Sequence, residues 1–346
     1  MKFFHTADLH LKKGEEKRIE IFKWLIQKSE EYNVDFFIIA GDLFESDTDA
    51  TQLRPEIRKM FEQTSAKFII LPGNHDEKSF STRYDYGNNV IQLIQTPFEI
   101  IELNGLTICG VPYQNKRFSE CIKNIPTGID IMIAHGTLYD ESFIFSMLED
   151  EETKYMPMYP ANLEHSARYV ALGHLHSQNI EKKYKNTNVV YPGAPIALDT
   201  KCANPRFVYC VHIDDKNLSI EPVEIEISPY WSEKEFFVFP GIEKKIIENI
   251  ESYLQKIDNK NVMPYITVKG FIGEKDKDFN NATRILEKKF REQFAGIRIH
   301  PDVESWDKIV QNTMVKTFVE KTKEFDDTLR LKIFEITFPI FSKALK

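Results

Sequence analysis

The stretch "KFIILPGNHDE", Lys67 to Glu77, decides how this chain is read. Phe68 to Leu71 is a continuous apolar run of the kind buried on both faces of a sheet. A Pro-Gly step ends it, and Asn74, His75 and Asp76 follow side by side. Polar groups at the rim of a core are costly unless something holds them. Ordinary hydrogen bonds or a metal ion are the two candidates.

The same arrangement recurs outward along the chain. "KFFHTAD" (2–8) precedes a helix-period stretch from about Glu16 to Asn33, and "DFFIIAGD" (35–42) precedes another from about Ala50 to Ser65. "LTICGVPY" (106–113), "IDIMIAHG" (129–136) and "RYVALGHLH" (168–176) repeat the apolar run with a polar exit. "NVVYPGAP" (188–195), "RFVYCVHI" (206–213) and "LSIEPVEIEI" (218–227) alternate more and are expected to pair antiparallel. The pattern predicts a layered α/β domain over residues 1–228. A small α+β domain is expected over 229–304, with "YITVKGFI" (265–272) and "IRIH" (297–300) as strands between helices. Residues 305–346 read as helical, with Asp326–Asp327 suited to capping a last helix and Pro339 interrupting it.

Composition narrows the class. The chain has 346 residues, enough for two domains, and is 42% hydrophobic and 28% charged, as soluble globular proteins are. No apolar run approaches a membrane span, and "MKFFHTADLH" lacks the apolar core of a secretory signal. Four cysteines without CxxC spacing are expected to be reduced, buried thiols of a cytoplasmic protein. Net charge is −8, unlike a typical nucleic-acid binder, and it is unevenly spread. Residues 1–228 carry 24 Lys+Arg against 34 Asp+Glu, and residues 229–346 carry 21 against 19.

The strand exits carry Asp8 and His10, Asp42, then Asn74, His75 and Asp76, then His135, then His174 and His176. In open α/β sheets the carboxyl ends of strands converge on the ligand site, so separated segments can build one cluster. Carboxylate, imidazole and amide donors without thiolate suit Mn(II), Fe(II) or Zn(II), and one carboxylate can bridge two cations about 3.5–4 Å apart. If extended, "DLH" and "GHLH" would each aim residues i and i+2 to one side. Gly41, Gly73 and Gly173 are expected to allow tight departures from the strands. One "DxH" is weak evidence, because histidines often serve as hydrogen-bonded structural residues. Five polar exits in order are hard to explain that way.

Together, "DLH…GDLF…GNHD…AHG…GHLH" resembles the calcineurin-like metallophosphoesterases over about residues 1–228. The resemblance implies a four-layer αββα sandwich and two divalent cations, Mn(II) ahead of Mg, Fe or Zn. It places Asp8, His10, Asp42 and His176 on the first metal. Asp42, Asn74, His135 and His174 would hold the second, with Asp42 bridging. His75 would face the substrate phosphate, with Asp76 orienting it. "HTADLHL", "GDLFES", "LPGNHDE", "VPY", "GHLHS" and "YPGAP" look like the SbcD-type DNA repair exonucleases. That likeness implies a capping domain after the nuclease domain, DNA as substrate, and an SbcC-type ATPase or a second copy of the chain as partner.

A Ser/Thr protein phosphatase would be expected to show "GDxVDRG" and "GNHE"; this chain has "GDLFES" and "GNHD". A phosphodiesterase for nucleotides or other small diesters is the competing enzyme reading, and a scaffold that has lost ligands is the non-enzymatic one. Lys12, Lys78 and Arg83 follow the site motifs and are candidate DNA contacts, and Tyr84 and Tyr86 are candidates for stacking on bases. A solvated mixed-charge surface would account for the basic residues equally well. Val315, Phe318, Val319, Leu329, Ile333, Phe334, Ile336, Phe338, Ile340 and Phe341 form an apolar set that packs on the chain itself or docks a partner.

Overall fold

A computed structural model describes residues 1–141, 155–177, 179–273, 276–307, 311–326, 329–330, 332–334, 336–337 and 340. The chain divides into two units, Met1–Tyr230 and Trp231–Lys346. In the first unit, β1 (Lys2–Thr6), β2 (Phe36–Ala40), β3 (Lys67–Leu71) and β4 (Val90–Gln92) run parallel. A second group comprises β5 (Glu99–Leu103), β6 (Leu106–Val111), β7 (Ile131–His135), β8 (Tyr169–Gly173), β9 (Ile180–Tyr184) and β10 (Thr187–Tyr191). The hairpin of β11 (Phe207–Ile213) and β12 (Leu218–Glu224) returns to the first group. The resulting six-stranded sheets have the orders β12-β11-β1-β2-β3-β4 and β5-β6-β7-β8-β10-β9.

Alternation within each strand builds the layers. On β1, Phe3 joins the core between the sheets, where its ring stacks 4.8 Å from that of Phe36. Phe4 joins the opposite core, beneath α1 (Glu16–Glu31) and α2 (Asp47–Phe61). Helix α1 buries Ile19, Phe22, Ile26 and Ser29, the spacing of one helical face. Helix α2 starts at Ser46, whose side chain accepts from Asp49 N at 3.1 Å. Outside the second sheet, the short α3 (Phe118–Cys121) and α4 (Pro160–Leu163) contribute Phe118 and Leu163 to a third core. The order is helix, sheet, sheet, helix, as expected. Each fully buried Phe, Leu or Ile adds about 1.5–3 kcal/mol by leaving water. All four cysteines are buried and unpaired.

Two strand expectations need correction. β10 pairs antiparallel with β9 but parallel with β8, because the chain crosses back before entering it. Strand "IRIH" extends from Arg298 to Ser305. In the second unit, β13 (Tyr230–Val238), β14 (Val262–Ile272) and β15 (Arg298–Ser305) form a three-stranded sheet. Helices α5 (Glu243–Gln255) and α6 (Asp276–Phe290) pack on it through Ile250, Leu254, Phe279 and Leu286. Helix α7 (Thr313–Thr322) buries Val315 and Val319 in a cluster with Phe239, Phe271 and Phe334. Asp326 accepts from Leu329 N at 3.0 Å, a capping bond. Asp327, Phe338, Pro339 and Phe341 lie outside the described residues. Among the described residues, no helix is long and apolar enough to cross a membrane.

Candidate metal centre

The loops leaving β1 and β2 stay paired after the strands end. Asp8 N donates to Gly41 O at 3.1 Å, His10 N to Asp42 O at 3.0 Å and Leu11 N to Leu43 O at 2.9 Å. The backbone there is not extended, as the i, i+2 argument required. Asp8 (φ 55°), His10 (φ 46°), Asp42 (φ 50°) and His174 (φ 109°) all have positive φ. Such residues cost about 1–3 kcal/mol each and persist where the surroundings dictate them, commonly at functional sites. Gly41 makes the tight departure expected of it, with φ 92°, while Gly73 and Gly173 provide room. A Cβ at Gly73 would stand 2.0 Å from Asp42 Oδ1, and one at Gly173 would stand 2.0 Å from Ala40 O.

Two donor sets meet at these loops. Asp8, His10, Asp42 and His176 each offer one donor atom, all within 4.8 Å of one another. His10 Nε2 is 3.0 Å from His176 Nε2 and 3.6 Å from Asp42 Oδ2. In the other set, Asn74 Oδ1 is 3.0 Å from His135 Nε2 and 3.1 Å from His174 Nδ1. His135 Nε2 is 3.2 Å from Asp42 Oδ2, so that one oxygen belongs to both sets. Asp42 Oδ2 is buried and has no well-formed hydrogen bond. Converging imidazole nitrogens around such an oxygen suit a bridged pair of divalent cations.

The donor geometry agrees with the family comparison: the model for calcineurin-like phosphoesterases matches residues 1–178. The chain belongs to the calcineurin-like phosphoesterase family. It is thus a phosphoesterase, a hydrolase of phosphoester bonds. The "DNA double-strand break repair protein Mre11" of Methanopyrus kandleri is 25% identical over 243 residues, 56% of this chain and 49% of that one. The chain therefore spans about half the length of this curated relative. Among solved structures, a novel archaeal phosphodiesterase is similar over 64% of this chain and 100% of its own, with 15% identity and a TM-score of 0.35. A dimetal phosphatase from Danio rerio is similar over 65% and 96%, with 8% identity and a TM-score of 0.44.

Hydrogen bonds behind the donors fix their directions in this phosphoesterase. His135 Nδ1 donates to Ala40 O at 2.9 Å, which leaves the Nε2 lone pair for the site. Both Asp8 oxygens accept from His174 N, at 2.9 and 3.0 Å. Asp42 Oδ1 accepts from His75 N at 2.9 Å, leaving Oδ2 for the two donor sets. Burial opposes the Asp42 charge, but His135, His10 and His75 hold its pKa below the carboxylate range. Burial opposes the His135 charge too, yet Asp42 and Asp8 raise its pKa to about 9. Burial and the neighbouring His10 and His174 keep His176 neutral.

Asp76 does not reach His75. It is buried, and its oxygens accept from Phe44 N at 3.0 Å and Gly73 N at 2.9 Å. Burial and the nearby Asp42 charge raise its pKa to about 7 against those two bonds. It braces the loop, and the orienting partner expected of it lies elsewhere. His75 is exposed, with Nδ1 3.2 Å from Glu45 O and its ring edge-to-face with His10 at 4.7 Å. Lys12 is half-buried, while Lys78 and Arg83 are exposed; among the described residues none of the three forms an ion pair. Tyr86 is buried with its hydroxyl on Ser79 O, so it cannot stack on a base. Tyr84 keeps an exposed edge over the Arg54 guanidinium, 3.9 Å from its ring centre.

Sequence reading missed four contributors. Arg206, 1% exposed, donates to His176 O at 2.6 Å, Ser177 O at 3.3 Å and Ala194 O at 2.8 Å. With Ala194 N on His176 O at 3.1 Å, this ties "YPGAP" to "GHLH". An arginine ahead of an apolar strand gives no signal of that task. Tyr113 of "VPY" lies 6.0 Å from Tyr155, which lies 5.3 Å from His174, so aromatic rings line one side of the donors. Glu45 stood in plain view in "GDLFES".

Proposed function

We propose that this phosphoesterase is a Mn(II)-dependent two-metal phosphodiesterase that cuts DNA as an exonuclease with endonuclease activity, in double-strand-break repair. The observation carrying the two-metal reading is Asp42 Oδ2 lying between two donor sets with exposed His75 beside them. Asp8, His10, Asp42 and His176 would hold one cation, and Asp42, Asn74, His135 and His174 the other. Bound there, the pair supplies a hydroxide at neutral pH and offsets charge on the phosphoryl oxygens. His75 has its Nδ1–H on the Glu45 carbonyl, which leaves Nε2 to meet the scissile phosphate and, in the doubly protonated ring, to pass its proton to the leaving oxygen. His135 keeps the tautomer its role needs by donating from Nδ1 to Ala40 O. Asp76 holds the loop beneath both.

The DNA reading is supported by the similarity to a DNA double-strand break repair protein and by Tyr84, Tyr113 and Tyr155 as aromatic contacts for unstacked bases. Lys12, Lys78 and Arg83 would meet the phosphate backbone, against a surplus of acid over residues 1–228. The rival is a phosphodiesterase of small diesters on the same centre. End-labelled single- and double-stranded DNA should be digested with Mn(II), and Asp42→Ala should abolish this. Bis(p-nitrophenyl) phosphate serves as the generic diester. Its turnover without DNA cleavage would overturn the nuclease reading. Exposed Leu329, Ile336 and Ile340 support an SbcC-type ATPase as partner. Co-purification should then weaken when the three are changed to Ser; unchanged capture, or self-association of the chain alone, would count against it.

A further inference from the structure

Glu45 touches both halves of the site through different atoms. Its Oε2 lies 3.3 Å from His10 Nδ1, and its backbone O lies 3.2 Å from His75 Nδ1. Arg18 Nη1 donates to the same Oε2 at 2.7 Å and to His10 O at 2.5 Å, so the carboxylate is held from behind. Glu45 N donates to Leu11 O at 3.1 Å, which pins its main chain to the first motif's loop.

We propose that Glu45 is a positioning residue for both parts of the centre, its carboxylate directing the His10 ring and its carbonyl directing His75. This rests on the reading of His10 as a metal ligand and of His75 as the group facing phosphate. An imidazole that ligates through one nitrogen needs the N–H of the other held, and loss of such a partner weakens metal binding about 10–100-fold. His10 turns Nε2 toward His176 and Asp42, which leaves its buried Nδ1 facing Glu45 Oε2 at 3.3 Å, with no other partner in hydrogen-bond geometry among the described residues.

His10, Glu45 and His75 also offer donor atoms within 4.8 Å of one another, as a third cation site would. Arg18 argues against that use, since its positive guanidinium already occupies the Glu45 oxygen such a cation would need. A hydrogen-bonded brace accounts for Arg18, and a third metal does not.

Mn(II) binding to the full chain, followed by titration calorimetry and by paramagnetic resonance of free Mn(II), tests this directly. The unmodified protein should take up two Mn(II). Glu45→Gln should bind one of the two about 10–100-fold more weakly. The Mn(II) concentration for half-maximal cleavage should rise in step, with kcat moving less, because the backbone hold on His75 survives the substitution. Arg18→Met, which keeps the carboxylate, should weaken the same Mn(II) to a smaller degree. Unchanged affinity in Glu45→Gln would overturn the proposal. So would a fall in kcat with unchanged Mn(II) dependence, or a third Mn(II) that disappears in Glu45→Gln. Failure of the unmodified chain to bind Mn(II) is a different result: it removes the metal assignment first, and this proposal with it.

Discussion

His75 and Asp76 are neighbours with separate duties. His75→Ala should lower kcat by about 10²–10⁴-fold, the usual span for a lost proton donor, with Mn(II) stoichiometry unchanged. Near-normal cleavage, or loss of Mn(II), would remove its assigned role. His5 offers a second test away from the metal centre. Its Nδ1 lies 2.8 Å from the Tyr169 hydroxyl between the sheets, and burial pushes its pKa down to about 3. Unfolded histidine titrates near about 6.5, so below that pH the unfolded chain takes the proton first. This contribution to stability is full above about 6.5 and is lost as pH falls toward about 3. The double variant His5→Phe/Tyr169→Phe removes both polar groups at similar volume. Urea titrations at pH 7 and 4.5 should show a smaller loss of stability than in the parent; an equal loss would refute the idea. Individual donors were legible in the sequence because Asp, Asn and His are conspicuous after apolar runs. The contacts of Glu45 and Arg206 were not, because they run to another residue's ring or carbonyl, and only the folded loops create them.

Strand ends turn the local pattern into geometry, and two glycines show how closely. Gly173→Ala puts a methyl against Ala40 O and Ala7 Cβ, both on the facing sheet. The overpacking should cost about 1–3 kcal/mol or more and appear as a lower Tm. Gly73→Ala puts a methyl against Asp42, 2.0 Å from its Oδ1 and 2.5 Å from its backbone N. Mn(II) affinity should fall there together with Tm. Unchanged Mn(II) affinity in Gly73→Ala would contradict this account. Central strands such as "FFIIA" were readable because both faces are buried. Edge strands β4, β5 and β9 went unseen: β4 has three residues, and charges interrupt the apolar run in "EIIEL" and "IEKKY". The parallel pairing of β10 was hidden as well, since alternation in one strand does not reveal its neighbour's direction.

Across the molecule, eight of the nine histidines and the surplus of acid over base lie in the first unit, which should make its folding responsive to metal. Mn(II) at about 100 times its Kd should add about 2.7 kcal/mol per site, and EDTA should reverse the gain in Tm. Asp42→Ala should show little of it. The gain should grow from pH 6.5 to 8.5, because His135, raised to about 9, must release its proton before it can ligate. A gain that shrinks over that range would argue against His135 as a ligand. The layered α/β order was legible in advance because it follows from the sequence of strands and helices. The meeting of the strand exits in two donor sets that share Asp42 Oδ2 was legible only as an expectation, since distances between loops are properties of the packed sheets.

Asp8, His10, Asp42 and His174 hold backbone conformations that glycine adopts freely. Replacing any of them with glycine would relax the chain and remove a donor in the same step. Selection for durability and selection for turnover thus pull in opposite directions at four identifiable positions. A descendant released from phosphoester chemistry would drift toward glycine there, so these positions serve as a gauge of whether a relative still catalyses.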